Sequence, residues 1–234
     1  MHLETHETPY FQFQGYRFAT WFGTRGRLPQ LWGQAVTRLR GDDALVVLMD
    51  CQSGPLGMVR TMEQQALFSA LASLADIATA LAIPVLLVTT PGPGVANEVV
   101  PELARVALGA RHITRHRTSV WEDMAFREAV KETGRTTLII GGAGTDTAVA
   151  LLALAARDAG LNCAVAVDAC GTVSEVAERA AWMRLASSGV ALVSWTGLAT
   201  ELADTVTGPQ SVAAQAIVRA HFANLPRTIP MHRE

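Results

Sequence analysis

The sequence predicts an α/β fold: three α/β/α layers built on a doubly wound, six-stranded parallel sheet. Six short apolar runs recur between residues 44 and 195. Several are apolar throughout instead of alternating, which is the pattern of strands buried on both faces of a parallel sheet. Segments of helical period separate them, so strands alternate with helices and right-handed crossovers follow. The chain has 234 residues, 50% hydrophobic and 17% charged, which suits one globular domain with a sizeable core and excludes a disordered chain.

The elements follow in order. Residues 1–43 read as an N-terminal arm holding eight of the fourteen aromatic residues, Trp21 and Trp32 among them. Such an arm packs on its own domain, or covers a neighbouring subunit or the mouth of a site. The strand candidates are ALVVLM (44–49), PVLLVTT (84–90), RHITR (111–115), TTLIIGG (136–142), CAVAVDA (163–169) and VALVSW (190–195). Leu67, Leu71, Leu74, Ala78 and Leu81 form one helical apolar face. A second helix runs from Glu122 to Thr133 and stops at Gly134, a C′ glycine. A third starts near Thr145, with a cap residue and Asp146 in its first turn, and its body AVALLALAA is apolar nearly all round. A fourth begins at Ser174, with Glu175 and Glu178 in its early turns. GPQSVAAQAIVRAHFANLP gives one more amphipathic helix, so the division expected is arm 1–43, domain 44–205, and helix plus tail 206–234.

Charge and cysteine usage narrow the function classes. A net charge of −2 gives no reason to expect a nucleic-acid partner. Gly, Pro or charge breaks every apolar run within roughly 18 residues, too short to span a bilayer. MHLETHETPY has neither the basic start nor the apolar core of a secretory signal. Cys51, Cys163 and Cys170 form no metal-type pair, and their odd count suits a reducing cytoplasm. Lys131 is the only lysine, beside 18 arginines.

In doubly wound sheets ligands sit beyond the carboxyl ends of the strands, which directs attention to Asp50, residues 89–94, Arg115, residues 142–148 and residues 168–172. The stretch GGAGTDTAVALLALAARDAG (141–160) poses the main question. It is not a nucleotide cradle: after Gly142 and Gly144 the third fingerprint glycine is replaced by Thr147, and no Gly-Lys-Ser/Thr follows. No cofactor is expected. His112 and His116 share no helical face and make no metal pair.

Combined, LVVLMDCQSG, the run ITRHRTSVWEDMAFREAVKETGRTTLIIGGAGTDTAVALLALAARDAG and VAVDACGTVSEVAERAAWMRLASSGVALVSW resemble the isochorismatase-like, or cysteine hydrolase, family over residues 42–205, especially its small amidohydrolases. The resemblance implies a homo-oligomer acting on a small molecule. It implies that Asp50 is the general acid/base and that the basic residue ending the third strand, usually lysine, is Arg115. The attacking cysteine, in the pattern Gly-x-x-Thr-Asp/Glu-x-Cys, falls on Ala148. It implies further that the N–H groups of Gly144 and Ala148 form an oxyanion hole with Gln52 and Thr145 nearby, and that a cis peptide joins Ala143 to Gly144.

A methyl group has no lone pair, so thioester chemistry at position 148 is excluded for the chain as written. Arginine stays protonated; Arg115 would hold Asp50 ionised or bind an anionic substrate and would not shuttle protons. Lys131 lies in a helix and cannot fill the lysine position. Cys170 reads as a small buried hydrophobe or a relocated nucleophile, and Cys51 points away from the Asp50 face. Three functions remain open: a cysteine hydrolase, acting on an amide-type C–N bond, whose cysteine is replaced; a thiol-free vinyl-ether hydrolase using Asp50; and a silent binding or scaffolding homologue.

Overall fold

The computed structural model describes residues 10–13, 16–19, 38–92, 98–205 and 207–224. Two compact units divide the chain, residues 1–31 and 32–234. The described part of the first is an antiparallel hairpin, β1 (Tyr10–Phe13) with β2 (Tyr16–Ala19). The rest of the predicted arm up to residue 37 lies outside the described residues.

The second unit carries a six-stranded sheet: β3 (Ala44–Met49), β4 (Val85–Thr89), β5 (Arg111–Thr114), β6 (Thr137–Ala143), β7 (Asn162–Gly171) and β8 (Ala191–Val193). Its order is β5-β4-β3-β6-β7-β8, and every pairing is parallel. The chain winds outward from β3 through β4 to β5, then restarts at β6 and winds the other way. The topological switch point therefore lies between the carboxyl ends of β3 and β6.

Both faces are covered, which explains the continuous apolar strands. In β3, Ala44, Val46 and Leu48 enter one core with Leu67, Leu71 and Leu74 of α2 (Gln64–Ala80) and with α7 (Trp195–Leu202). Leu45, Val47 and Met49 enter the opposite core with Phe126 of α4 (Met124–Thr133) and Leu152 of α5 (Ala150–Asp158). Period-2 side-chain alternation here sorts residues between two cores rather than between core and water.

Helix ends obey local chemistry. Glu63 caps α2, its carboxylate accepting from the N–H groups of Gln65 and Ala66 at 3.0 and 2.7 Å. Gly134 ends α4 in the left-handed conformation, φ 66°. Ser174 caps α6 (Glu175–Ser187), accepting from Ala177 N–H. The remaining α-helices among the described residues are α1 (Ser53–Gly57), α3 (Ala104–Gly109) and α8 (Pro209–Asn224).

Two sequence expectations are corrected at the helices. The third predicted helix does start at Thr145, but its N-cap is Gly144 at φ 79° with no side-chain cap, and its first turn, Thr145–Val149, is a π-turn closed by Val149 N–H donating to the Gly144 carbonyl at 3.1 Å. The helix predicted from Glu122 opens as a separate 3₁₀ turn, Val120–Glu122, before α4 begins at Met124.

Candidate active site

Strand ladders bring the acidic and basic candidates together. Asp50 N–H donates to the Val88 carbonyl and Arg115 N–H to the Thr89 carbonyl, both at 2.8 Å, so each residue continues its strand's pairing by one step. One strand, β4, separates them, roughly 9.5 Å between strand axes, a gap that a long side chain can bridge. Arg115 reaches across: Nε donates to Asp50 Oδ1 and Oδ2 at 3.1 and 3.2 Å, and Nη2 to Oδ2 at 2.7 Å. Nη1 donates to the carbonyls of Arg117 and Thr118 at 3.0 and 3.4 Å. The side chains are 5% exposed for Asp50 and 17% for Arg115, so this is a buried, forked ion pair. Asp50 holds φ 49°, a conformation that aspartate tolerates better than most residues.

The neighbouring wall is the turn after β6. Gly142 has φ 135°, and a Cβ there would lie 2.0 Å from the Met49 carbonyl oxygen, so β3 approaches too closely for any side chain. Gly144 N–H donates to the Gly171 carbonyl at 2.8 Å, tying the turn to the end of β7. The Ala143–Gly144 peptide is trans, contrary to the cis bond that the resemblance implied: the reversal is made by positive φ at Gly142 and Gly144. Ala148 follows in the π-turn and is 5% exposed.

Polar side chains brace this turn from behind. Thr145 donates to Glu178 Oε1 at 2.9 Å, and Thr61 donates to the same oxygen at 3.1 Å. Thr172 N–H donates to Thr61 Oγ1 at 3.0 Å, while the Thr172 hydroxyl donates to Asp146 Oδ1 at hydrogen-bond distance. Gln52 clasps the backbone of Thr90, accepting from its N–H at 2.7 Å and donating to its carbonyl at 2.9 Å. Gln52 and Thr145, expected close to substrate, are thus fully buried behind the wall and hold it in place.

A cavity of about 410 Å³ opens between these parts, lined by Asp50, Arg115, Thr90, Gly144, Asp146, Thr147 and Thr172, with apolar contributions from Pro55, Met58, Val59 and Val173. That size suits a small molecule. The sequence marks Asp146, Thr147 and Thr172 only as parts of the turn and strand-end stretches, and it does not single out Met58, Val59 or Thr61. Thr61 and Glu178 are 117 residues apart, a contact that no local pattern encodes.

The three cysteines, all free, are buried. Burial pushes the thiols of Cys51 and Cys170 well up, and that of Cys163 to about 12. Cys170 packs in the core beside Ile140, where its thiol meets a backbone carbonyl, and it does not line the cavity. Lys131, on α4, is exposed.

The comparisons with known proteins agree with this fold. The isochorismatase domain model matches residues 43–197, from just before β3 into α7. The chain belongs to the isochorismatase family. Within that family it is 37% identical over 166 residues to the probable hydrolase YcaC of Escherichia coli K12, covering 70% of this chain and 80% of that one. The crystal structure of the E. coli YcaC gene product, described as an octameric hydrolase of unknown specificity, superposes with a TM-score of 0.74 at 34% identity, covering 79% and 90% of the two chains. YcaC from Pseudomonas aeruginosa, described with hexane-2,5-diol and covalent acrylamide, gives 0.73 at 32% identity over 80% and 95%. No helix among the described residues is long and apolar enough to cross a membrane.

Proposed function

We propose that this isochorismatase-like hydrolase chain binds a small molecule with an amide-type C–N bond, and that Ala148 stands where an attacking cysteine would stand. One observation carries the reading: a small-molecule cavity floored by the buried Asp50–Arg115 pair lies against a glycine-built turn that runs into a helix. A helix N-terminus stabilises thiolate and developing oxyanion alike, so the turn is suited to thiol chemistry. In this arrangement Asp50 takes or gives the proton and Arg115 supplies a fixed positive charge that holds it. The Gly144 N–H, spent on Gly171, would have to turn toward the cavity to join Ala148 N–H in an oxyanion hole. The acrylamide held covalently by the P. aeruginosa relative supports the reading, since such an adduct requires a nucleophile in that protein.

A second reading, vinyl-ether hydrolysis without a thiol, draws on the Asp50 carboxylate facing the cavity. The methyl of Ala148 and the burial of all three thiols favour a third, a silent binding homologue. The octameric E. coli relative supports assembly of this chain into a homo-oligomer, and three unpaired cysteines support a reducing, cytoplasmic location.

The test is hydrolysis of a panel of small amides, with isochorismate included, by this chain and by Ala148→Cys in parallel. Amide turnover only in the thiol variant is the expected result. Turnover of isochorismate by the Ala148 form would establish the second reading, and no turnover by either protein would leave a binding role.

A further inference from the structure

The charges around the cavity do not balance, and the imbalance selects a ligand. Arg115, the one cation on the described wall, is turned inward: Nε and Nη2 bind the Asp50 carboxylate, and Nη1 binds two backbone carbonyls. Its charge is matched by Asp50, and four of its five N–H donors are engaged, all but one on Nη2, so it is a poor receptor for a substrate carboxylate or phosphate. This departs from the anion-binding role that the sequence allowed.

Asp146 is different. It also lines the cavity, and only its Oδ1 is engaged, by the Thr172 hydroxyl, which carries no charge. Among the described residues no cation lies within salt-bridge reach of it. Behind the wall stands another carboxylate, Glu178, which also accepts only from hydroxyls, those of Thr61 and Thr145. The remaining described lining carries no charged side chain, and Met58 and Val173 are among its apolar members.

We propose that Asp146 is a specificity-determining residue and that the cavity takes small ligands bearing an ammonium or other cationic N–H group on a short apolar body, and rejects carboxylates. Asp146 Oδ2 accepts from the cationic group while Met58 and Val173 cover the body. The inference rests on the proposed small-molecule function of this cavity and adds the charge of the ligand.

Three amides of matched length separate the two claims: ε-aminocaproamide, a cation; caproamide, neutral; and the monoamide of adipic acid, an anion. Binding to the full chain is read by NMR at the methyl group of Met58, on the cavity wall. The cation is expected to bind about tenfold more tightly than the anion at low salt, the size of a partly screened charge contact. Asp146→Asn keeps the acceptor for Thr172 and should remove that preference. On the unaltered protein, raising salt should shrink the cation's advantage, a measurement independent of any variant. Caproamide binding with equal affinity for the two charged amides, or with the anion preferred, overturns the inference and leaves the amide-site reading standing. Failure of all three to move the Met58 signal overturns both.

Discussion

Replacing Arg115 by methionine would leave the Asp50 carboxylate without its partner in a place where its side chain is 5% exposed. Breaking a buried pair from one side costs about 3–5 kcal/mol, because the remaining charge is neither hydrated nor matched. The cavity admits water to one edge of Asp50, which puts the cost at the low end of that range, about 3 kcal/mol. The donors to the Arg117 and Thr118 carbonyls are lost as well, adding about 1 kcal/mol. For a chain of this size roughly 2–4 °C of melting temperature corresponds to each kcal/mol, so Arg115→Met should melt roughly 8–16 °C lower. Asp50→Asn removes the charge without disturbing the backbone, since asparagine also tolerates the φ of 49° found there. The double variant should therefore recover at least about 1.5 kcal/mol relative to the sum of the two single changes. Urea and thermal unfolding of all four proteins at pH 7 supply the cycle. Strict additivity, with Arg115→Met costing under about 1 kcal/mol, would refute the claim that the pair is buried and coupled.

Other outcomes follow from single contacts. Gly142→Ala should destabilise by about 3 kcal/mol or more, because its Cβ would meet the Met49 carbonyl at 2.0 Å, whereas Gly57→Ala, with nothing within 4 Å, should change unfolding little. A disulfide reagent at pH 8 should leave Cys51, Cys163 and Cys170 unmodified in the native protein and titrate all three in urea, since burial raises each thiol. Burial also raises Asp168 in the folded state, so its stabilising contribution exists at low pH and is lost as pH rises through the folded value. Asp168→Asn, which can still accept the Trp195 N–H, should thus be more stable than the parent at pH 7, with the advantage fading toward pH 3 in urea titrations.

The fold is legible because its signals are local. All six strands fall where apolar runs stand between turn residues, and both-face burial explains why Ala44–Met49 shows no alternation. Gly134 and Ser174 mark their helix ends by backbone and side-chain chemistry that travels with the residue. Asp50 and Arg115 stand out as strand-end residues, and parallel pairing on either side of β4 brings them together. What escapes the sequence is set by contacts far apart in it. Thr145 has the neighbours of a helix cap, yet its hydroxyl is taken by Glu178 and the cap falls on Gly144. The tie from the Gly144 N–H to the Gly171 carbonyl is likewise supplied by β7, 27 residues further on. Asp146 meets its cavity neighbour Thr172, 26 residues later, only through the pairing of β6 with β7.

The central claim, a thiol cradle without its thiol, is tested most directly by intact-mass analysis of this chain and of Ala148→Cys after incubation with acrylamide at neutral pH. The variant should gain one adduct per chain, mapped to position 148 by peptide analysis and formed more slowly when Asp50→Asn is added. The parent should gain none, its three thiols lying in the cores. An adduct on the parent at one of its native cysteines would contradict the account. So would an Ala148→Cys variant that stays folded while its introduced thiol remains unmodified.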